Sequence, residues 1–378
     1  MDKYFGQFPG AKYLNKEEIK NTIDVLKSKS PYRFSGINLK KYCNKLEKIM
    51  ARLVNKRYCL AVNSGTSALH CALHAVGIKD NDEIIIPSYG WNADLMSILM
   101  MNAVPVIAPV GLDANLELKK LKLLTTKKTK ALIIIHMRGY PCNFTEILNF
   151  CKRKNILIIE DCSQSFGGTI NKKKIGHLGD ISMMSFQYNK IVTAGEGGAL
   201  MTNSKYFFEK AIRFHNGGID RKIGKNAKKT NDPVGSKVIM SKGLNYRMSE
   251  LTAAVALAQI KKLKTIIQGC KRNWTEVKKI LQKYEKLGYI SFKPIMKNCT
   301  INYAFLGFYK NKSLSNKKLS KLLKKSKIKY ENSDLKDAHH FKTWKSFLIR
   351  EEIKFKDYTD TENNQNLKKN FFCEISSN

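Results

Sequence analysis

The sequence predicts an α/β protein with a mainly parallel, seven-stranded sheet flanked by helices, followed by a smaller C-terminal α+β domain. Three observations predict it. Between Cys59 and Asn203, seven short strand-like runs recur, most of them apolar throughout instead of alternating, the pattern of strands covered on both faces. Segments with helical periodicity lie between the early runs, which gives the βαβ rhythm of a parallel sheet. From about Leu251 that rhythm yields to longer, charged helices and short strands. The expected division is therefore an N-terminal segment with a large domain over 1–250 and a small domain over 251–378.

Taken in order, CLAVNS from Cys59 is the first strand, and SALHCALHAVG from Ser67 carries a helical pattern. EIIIPS follows as a strand, then a helix in NADLMSILMMNA from Asn92, then the strand VPVIAPV. ALIIIHM, the helix CNFTEILNFCKRKN from Cys142 and ILIIEDC continue the alternation. ISMMSF and GALMTN stand too close together for a crossover helix, so one of them is expected to run antiparallel. Beyond them, TAAVALAQIKKLKTIIQG and NWTEVKKILQKYEKLG read as two helices and INYAFLGFYK as a strand. In LSNKKLSKLLKKSKIKY, Leu319, Leu322 and Leu323 mark one apolar face at helical spacing. RKIGKNAKKTNDPVGSK from Arg221 and KDYTDTENNQNLKKN near the C-terminus read as exposed loops.

Composition bounds the class. The chain has 378 residues, 43% hydrophobic and 10% aromatic, enough to bury a core and too apolar for disorder. No uncharged apolar run approaches the ~20 residues of a membrane span. The opening MDKYFGQFPGAKYLNKEE lacks the apolar stretch of a signal peptide. Nine cysteines, odd in number and without a CxxC pair, argue against a disulfide framework or a zinc site. A cytoplasmic protein is expected. The formal charge of +37 comes overwhelmingly from lysines spread over helices, the pattern of a solvated face. A polyanion-binding module is the alternative from another class, but arginine–aromatic interleaving is sparse, and no specific nucleic-acid partner is expected.

In an α/β sheet, ligands gather at the carboxyl ends of the strands, so the polar residues where each apolar run stops matter most. Those ends supply Asn63-Ser64-Gly65-Thr66, Pro87 through Trp91, His136-Met137-Arg138-Gly139, Asp161 through Gln164, and Ser185 through Lys190. Each has an ordinary reading. Ser64-Gly65-Thr66 is an N-cap or a phosphate cradle at a helix N-terminus. Asp161 is a structural acceptor or a carboxylate with a cationic partner. Trp91 is a packing aromatic or a stacking surface. Together, a phosphate cradle, a flat aromatic, a buried carboxylate and a lysine match the needs of pyridoxal phosphate. A desolvated lysine near other cations is also a better nucleophile. His70 and His74 stand at i, i+4 with no third ligand, so no metal is expected. His215, in RFHNGG, reads as a substrate neighbour or a loop hydrogen-bonding residue.

These residues resemble the sugar aminotransferases of the DegT/DnrJ/StrS type, which have the fold type I architecture of pyridoxal phosphate enzymes. AVNSGTSALHCAL, DEIIIPSYGW, IIEDCSQSFGG, GDISMMSFQYNK, AGEGGALMTN and LNYRMSELTAAVALAQI carry the likeness from about Ser30 to Ile260. The resemblance implies that Lys190 joins pyridoxal 5'-phosphate covalently as a Schiff base and that Asp161 partners the ring nitrogen. It places Trp91 on the ring face, Gln164 near the phenolic oxygen, and Gly65, Thr66 and Ser185 on the phosphate. It sends Asn245 to the phosphate of a neighbouring subunit, which implies a homodimer with shared sites. It further implies amino transfer from glutamate or glutamine to a keto-sugar, in amino-sugar and cell-surface polysaccharide biosynthesis. Gln187 stands where many relatives carry histidine. HMRGYPCN, SPYRFSG and SFQYNKIVTAGEGG look like the subgroup of the 8-amino-3,8-dideoxy-octulosonate transaminase. Arg138 would then meet a substrate carboxylate, the alternative being an internal ion pair; Arg247 and His215 are further substrate candidates. A pyridoxamine-dependent sugar dehydratase of the same fold is the nearest rival, and Lys190 disfavours it because that enzyme carries histidine there.

Overall fold

The computed structural model describes residues 8–111, 113–142, 144–219, 240–311, 314–326, 328, 331–332, 339–359 and 370–374. The expected loop at 221–237 lies outside them, as does most of the stretch after Thr359. Helices α1 (Lys16–Lys27) and α2 (Tyr42–Leu53) come first. Asn15 opens α1 with a capping box, its side chain accepting from Glu17 N–H while Glu18 accepts from Asn15 N–H. The alternating part runs β1 (Tyr58–Val62), α3 (Gly65–Val76), β2 (Glu83–Pro87), α4 (Asn92–Leu99), β3 (Val104–Ala108), α5 (Leu118–Leu124), β4 (Thr129–Ile135), α6 (Phe144–Lys154) and β5 (Leu157–Asp161). A small hairpin of β6 (Thr169–Ile170) and β7 (Lys173–Lys174) precedes β8 (Ile181–Ser185), β9 (Gly198–Thr202) and α7 (Lys205–His215). The chain continues through α8 (Glu250–Lys261), α9 (Leu263–Lys286), β10 (Ile290–Phe292), β11 (Cys299–Thr300), β12 (Phe305–Lys310) and α10 (Asn316–Lys325). It closes with β13 (Glu331–Asn332), α11 (Phe341–Arg350), β14 (Lys356–Asp357) and β15 (Asn370–Glu374).

The large sheet has the order β1-β9-β8-β5-β4-β2-β3-β14. The seven expected strands are all present, and β14 adds a two-residue parallel edge that the sequence did not announce. Of the close pair, β9 is the antiparallel strand, held by both β1 and β8. Successive residues of the central strands alternate between two cores, as the two-residue period of a strand requires. Ile85, Leu132, Ile134 and Ile158 face α1, α2, α6 and α8, while Ile84, Ile86, Ile133 and Ile159 face α3, α4, α7 and α11. A third core of Leu281, Tyr284, Leu306, Phe308, Leu319 and Leu323 lies under the four-stranded sheet β10-β12-β15-β13.

This packing bears on the division near residue 250, which we retain as a proposal about domain organisation. Helix α8 supplies Ala253, Ala254, Leu257 and Ile260 to the first large core, and α11 supplies Phe341, Trp344 and Leu348 to the second. Among the described residues, the third core therefore draws only on the chain between α9 and Ile328. The two helices expected over 252–269 and 273–288 also differ from the observed pair. The break falls at Lys262, whose Nζ donates to Tyr13 O at 2.7 Å and pairs with Glu18. Gly269 does not stop α9; a Cβ there would lie 1.8 Å from Tyr13 Oη, so the glycine admits a tyrosine against the helix.

Candidate active site

Strands β2, β4, β5 and β8 are parallel, so Pro87, Ile135, Asp161 and Ser185 end at one edge of the sheet. A cavity of about 430 Å³ opens there. Of the residues expected from the sequence, Gly65, Thr66, Trp91, Arg138, Asp161, Gln164, Ser185 and Lys190 all line it. Asn245, Arg247 and His215 do not. Asn245 is exposed and bridges Asn216 through its backbone. Arg247 donates to Asn216 Oδ1 at 3.1 Å. His215 is fully buried at the end of α7, with Nδ1 on the Ile212 carbonyl; burial and the charges of Arg33 and Arg247 push its pKa down to about 3. It stands as a packed, neutral ring away from the cavity. His70 and His74 likewise serve the core: His70 bonds Tyr246 Oη at 3.0 Å, and His74 stacks on Phe214.

Each wall has a local cause. Ser64 caps α3 by accepting from Ser67 N–H at 3.0 Å, and the Gly65 and Thr66 ends of the first turn border the cavity. A Cβ on Gly65 would meet Ser185 Cβ at 2.8 Å, so only glycine brings the helix N-terminus against the end of β8. Ser163 N–H donates to Asp161 Oδ1 at 2.7 Å and fixes the orientation of that buried carboxyl. Behind it, Glu160 is sealed in the core, accepting from Gly176, Leu178 and Gly179 N–H and from His136 Nε2. The His136 Nδ1 accepts from Cys142 N–H at 3.2 Å, so the ring proton sits on Nε2 and faces Glu160. Burial alone would raise the Glu160 carboxyl; the His136 bond and the backbone donors outweigh it and hold the group below its ordinary value.

Arg138 occupies a left-handed turn (φ 53°) followed by Gly139 (φ 85°). Its N–H donates to Gln164 Oε1 at 2.8 Å, which leaves the Gln164 amide nitrogen as the donor available to the cavity. Lys190 sits in the loop between β8 and β9, its N–H on Gln187 O and its carbonyl taken by Gly10 N–H. Burial, reinforced by the Arg138 charge and opposed by Asp161 and Asp94, holds the Lys190 amine below the ordinary lysine value. A larger share of it is therefore unprotonated and nucleophilic at neutral pH.

The sequence reading missed Pro9, Asp94, Asn302, Phe305 and His339, which also line the cavity. Asn302 donates to the Gln164 and Phe166 carbonyls and so ties the segment before β12 to the site. His339 packs its ring 4.9 Å from Trp91, and the Arg138 guanidinium lies over Phe305. Nothing local in the sequence marks these three. Asp94 did have a signal, an acid inside the apolar NADLMSIL, but a carboxylate in a first helical turn also reads as a start signal.

The residues present fit pyridoxal phosphate. The cavity combines an amine with lowered basicity, an oriented buried carboxyl, an indole surface and a helix N-terminus beside a serine hydroxyl. Comparisons with known proteins agree with that chemistry. The chain is 34% identical over 238 residues to a GDP-perosamine synthase of Vibrio cholerae, covering 63% of this chain and 61% of that protein. It is 33% identical over 220 residues to the GDP-perosamine synthase of Escherichia coli O157:H7, covering 58% and 57%. These matches thus span under two thirds of the relatives' own lengths. Among solved structures, an aminotransferase from Psychrobacter cryohalolentis superposes with a TM-score of 0.85 at 23% identity, over 98% of this chain and 94% of that one. The E. coli GDP-4-keto-6-deoxy-D-mannose-3-dehydratase with bound hydrated PLP gives 0.83 at 21%, over 99% and 96%. Such identities establish a shared fold. Residues 12–356 match the model of the DegT/DnrJ/EryC1/StrS aminotransferase family, and the chain accordingly belongs to that family.

Proposed function

We propose that this protein is a pyridoxal 5'-phosphate-dependent aminotransferase that moves an amino group from glutamate or glutamine to the carbonyl of a nucleotide-linked keto-sugar. The observation that carries the reading is Lys190, a lysine of lowered basicity in one cavity with Asp161 and the α3 N-terminus. The likeness to GDP-perosamine synthases favours the nucleotide-linked substrate. When bound, the cofactor supplies an aldehyde for amine exchange and an electron-withdrawing ring. Lys190 Nζ would take the Cα proton of the donor as a base and give it up as an acid within the same half of a ping-pong cycle, and would run that transfer in reverse for the acceptor in the second half. Asp161 holds a proton on the ring nitrogen, Trp91 covers one face, and Gln164 donates toward the phenolic oxygen. Gly65, Thr66 and Ser185 take the phosphate. Asn245, exposed and outside this cavity, serves the phosphate of a second copy, so a homodimer completes two sites.

Arg138 favours a second reading of the acceptor, an acidic keto-sugar of the 8-oxo-octulosonate type, because its buried guanidinium faces the cavity. In either case we place the enzyme in the cytoplasm, in amino-sugar or polysaccharide biosynthesis. Among the described residues the cysteines are unbridged, and no helix is long and apolar enough to cross a membrane. The test is a visible absorbance spectrum with pyridoxal phosphate, before and after L-glutamate, with Lys190→Ala alongside. A lysine-dependent yellow band that glutamate bleaches is the expected result; no such band in the wild type would overturn the proposal.

A further inference from the structure

Among the described residues, two acidic side chains that line the cavity have no work in the reading above, Glu196, which is exposed, and Asp94, which is buried. Asp94 lies in the first turn of α4, three residues after Trp91, and its N–H donates to the Trp91 carbonyl at 3.2 Å. It is fully buried, and among the described residues neither carboxyl oxygen has a hydrogen-bond partner. Leaving such a group unpartnered costs about 1–3 kcal/mol. The acceptor or donor it lacks therefore has to come from whatever fills the cavity.

The groups that share this cavity decide its charge. Asp161 comes from the end of β5, Lys190 from the loop after β8, Glu196 from the turn before β9, Arg138 from the turn after β4, and His339 from the segment before α11. Burial and then the Asp161 charge push Asp94 well above the carboxylate range, against the pull of Lys190. The uncharged acid is thereby the favoured form of Asp94 in the free protein.

We propose that Asp94 is a cofactor-contact residue that stores the proton of the ring-nitrogen end of the site: it stands as a carboxylic acid beside Asp161 in the free protein, and passes its proton to a heteroaromatic nitrogen bound against Asp161. The Asp94 O–H bond breaks, an N–H bond forms, and Asp94 becomes a carboxylate facing the cation it has made. The net charge of the site is unchanged, so loading needs no proton from solvent at that end. The inference rests on the reading that the cavity holds pyridoxal phosphate.

The test begins with the wild-type protein and needs no variant to fold. A difference infrared spectrum between the cofactor-free and pyridoxal phosphate-loaded forms, in mildly alkaline buffer, should lose one carboxylic-acid C=O band and gain one carboxylate band. Asp94→Asn should abolish that pair of bands. It should also make the ratio of variant to wild-type Kd for pyridoxal phosphate rise by up to about tenfold per pH unit, the slope of one extra proton taken from solvent. A wild-type protein that forms its lysine-dependent absorbance band without losing a carboxylic-acid band would overturn the role of Asp94 and leave the functional reading standing. A Kd ratio independent of pH would overturn it equally. A wild-type protein that does not bind the cofactor would overturn both.

Discussion

Glu160→Ala should destabilise the cofactor-free protein by about 4 kcal/mol while touching nothing in the cavity. Glu160 is fully buried and accepts from Gly176 N–H at 2.7 Å, Gly179 N–H at 2.8 Å, Leu178 N–H at 3.1 Å and His136 Nε2 at 3.1 Å. Removing the carboxylate orphans four buried donors at about 1–3 kcal/mol each. Local relaxation and water will recover some of that, and broken buried charge networks cost about 3–5 kcal/mol in practice. Glu160→Gln keeps one acceptor oxygen but turns an amide NH₂ toward the same donors, so roughly half the loss is expected. Urea unfolding followed by far-UV circular dichroism measures both, provided the transition slope is unchanged.

The pH dependence supplies a sharper check. The folded protein holds the Glu160 carboxyl below its ordinary value of 4.5, so its contribution is present above that value and lost as pH falls through the lower folded-state value. The gap between wild type and Glu160→Gln should be constant near neutrality and close in acid below about 4.5. A loss under about 1 kcal/mol for Glu160→Ala, or a gap that ignores acid, would refute the account of this network.

Gly65→Ala places a Cβ 2.8 Å from Ser185 Cβ, which is anchored on a strand and cannot swing away. The shift of the α3 N-terminus should cost about 1–3 kcal/mol of stability and weaken pyridoxal phosphate at least about tenfold, on the scale of one charge-assisted contact; equilibrium dialysis that finds an unchanged Kd would refute the phosphate role of this turn. Arg138→Ala should raise KM for an acidic keto-sugar by some thirtyfold, equivalent to about 2 kcal/mol for a charge-assisted hydrogen bond, and change KM for a nucleotide-linked keto-sugar much less. Equal effects on the two acceptors would remove the case for carboxylate recognition.

Much of this protein was legible in the chain alone because its information is local. Seven short runs, most of them apolar throughout, specify strands buried on both faces, and the spacing between ISMMSF and GALMTN forces the reversal that β9 shows. Residues that end those runs, from Gly65 to Lys190, meet because parallel strands finish at one edge. The likeness to the family rested on the same stretches. Where the reading fell short, the deciding contacts are remote in sequence. Gly269 looks like a helix end until Tyr13 is found packed against it, and Lys262 bends the chain because its amine reaches Tyr13 and Glu18. His215 sits in a polar RFHNGG segment, yet tertiary packing buries it completely.

By itself, the sequence determined the strands, their class, the strand-end residues and the lysine, since each follows from a short apolar period or from the order of motifs. Only the tertiary structure decided which other groups share that cavity. Asn302, Phe305 and His339 arrive from the C-terminal third of the chain, and a two-residue strand at Lys356–Asp357 carries the chain back to the large sheet. It also decided that Asp94 is buried against the cavity with neither carboxyl oxygen hydrogen-bonded among the described residues, unlike an ordinary solvent-facing first-turn carboxylate. A carboxyl group looks the same in sequence whether it faces water or a sealed cavity, and its charge is set by that surrounding.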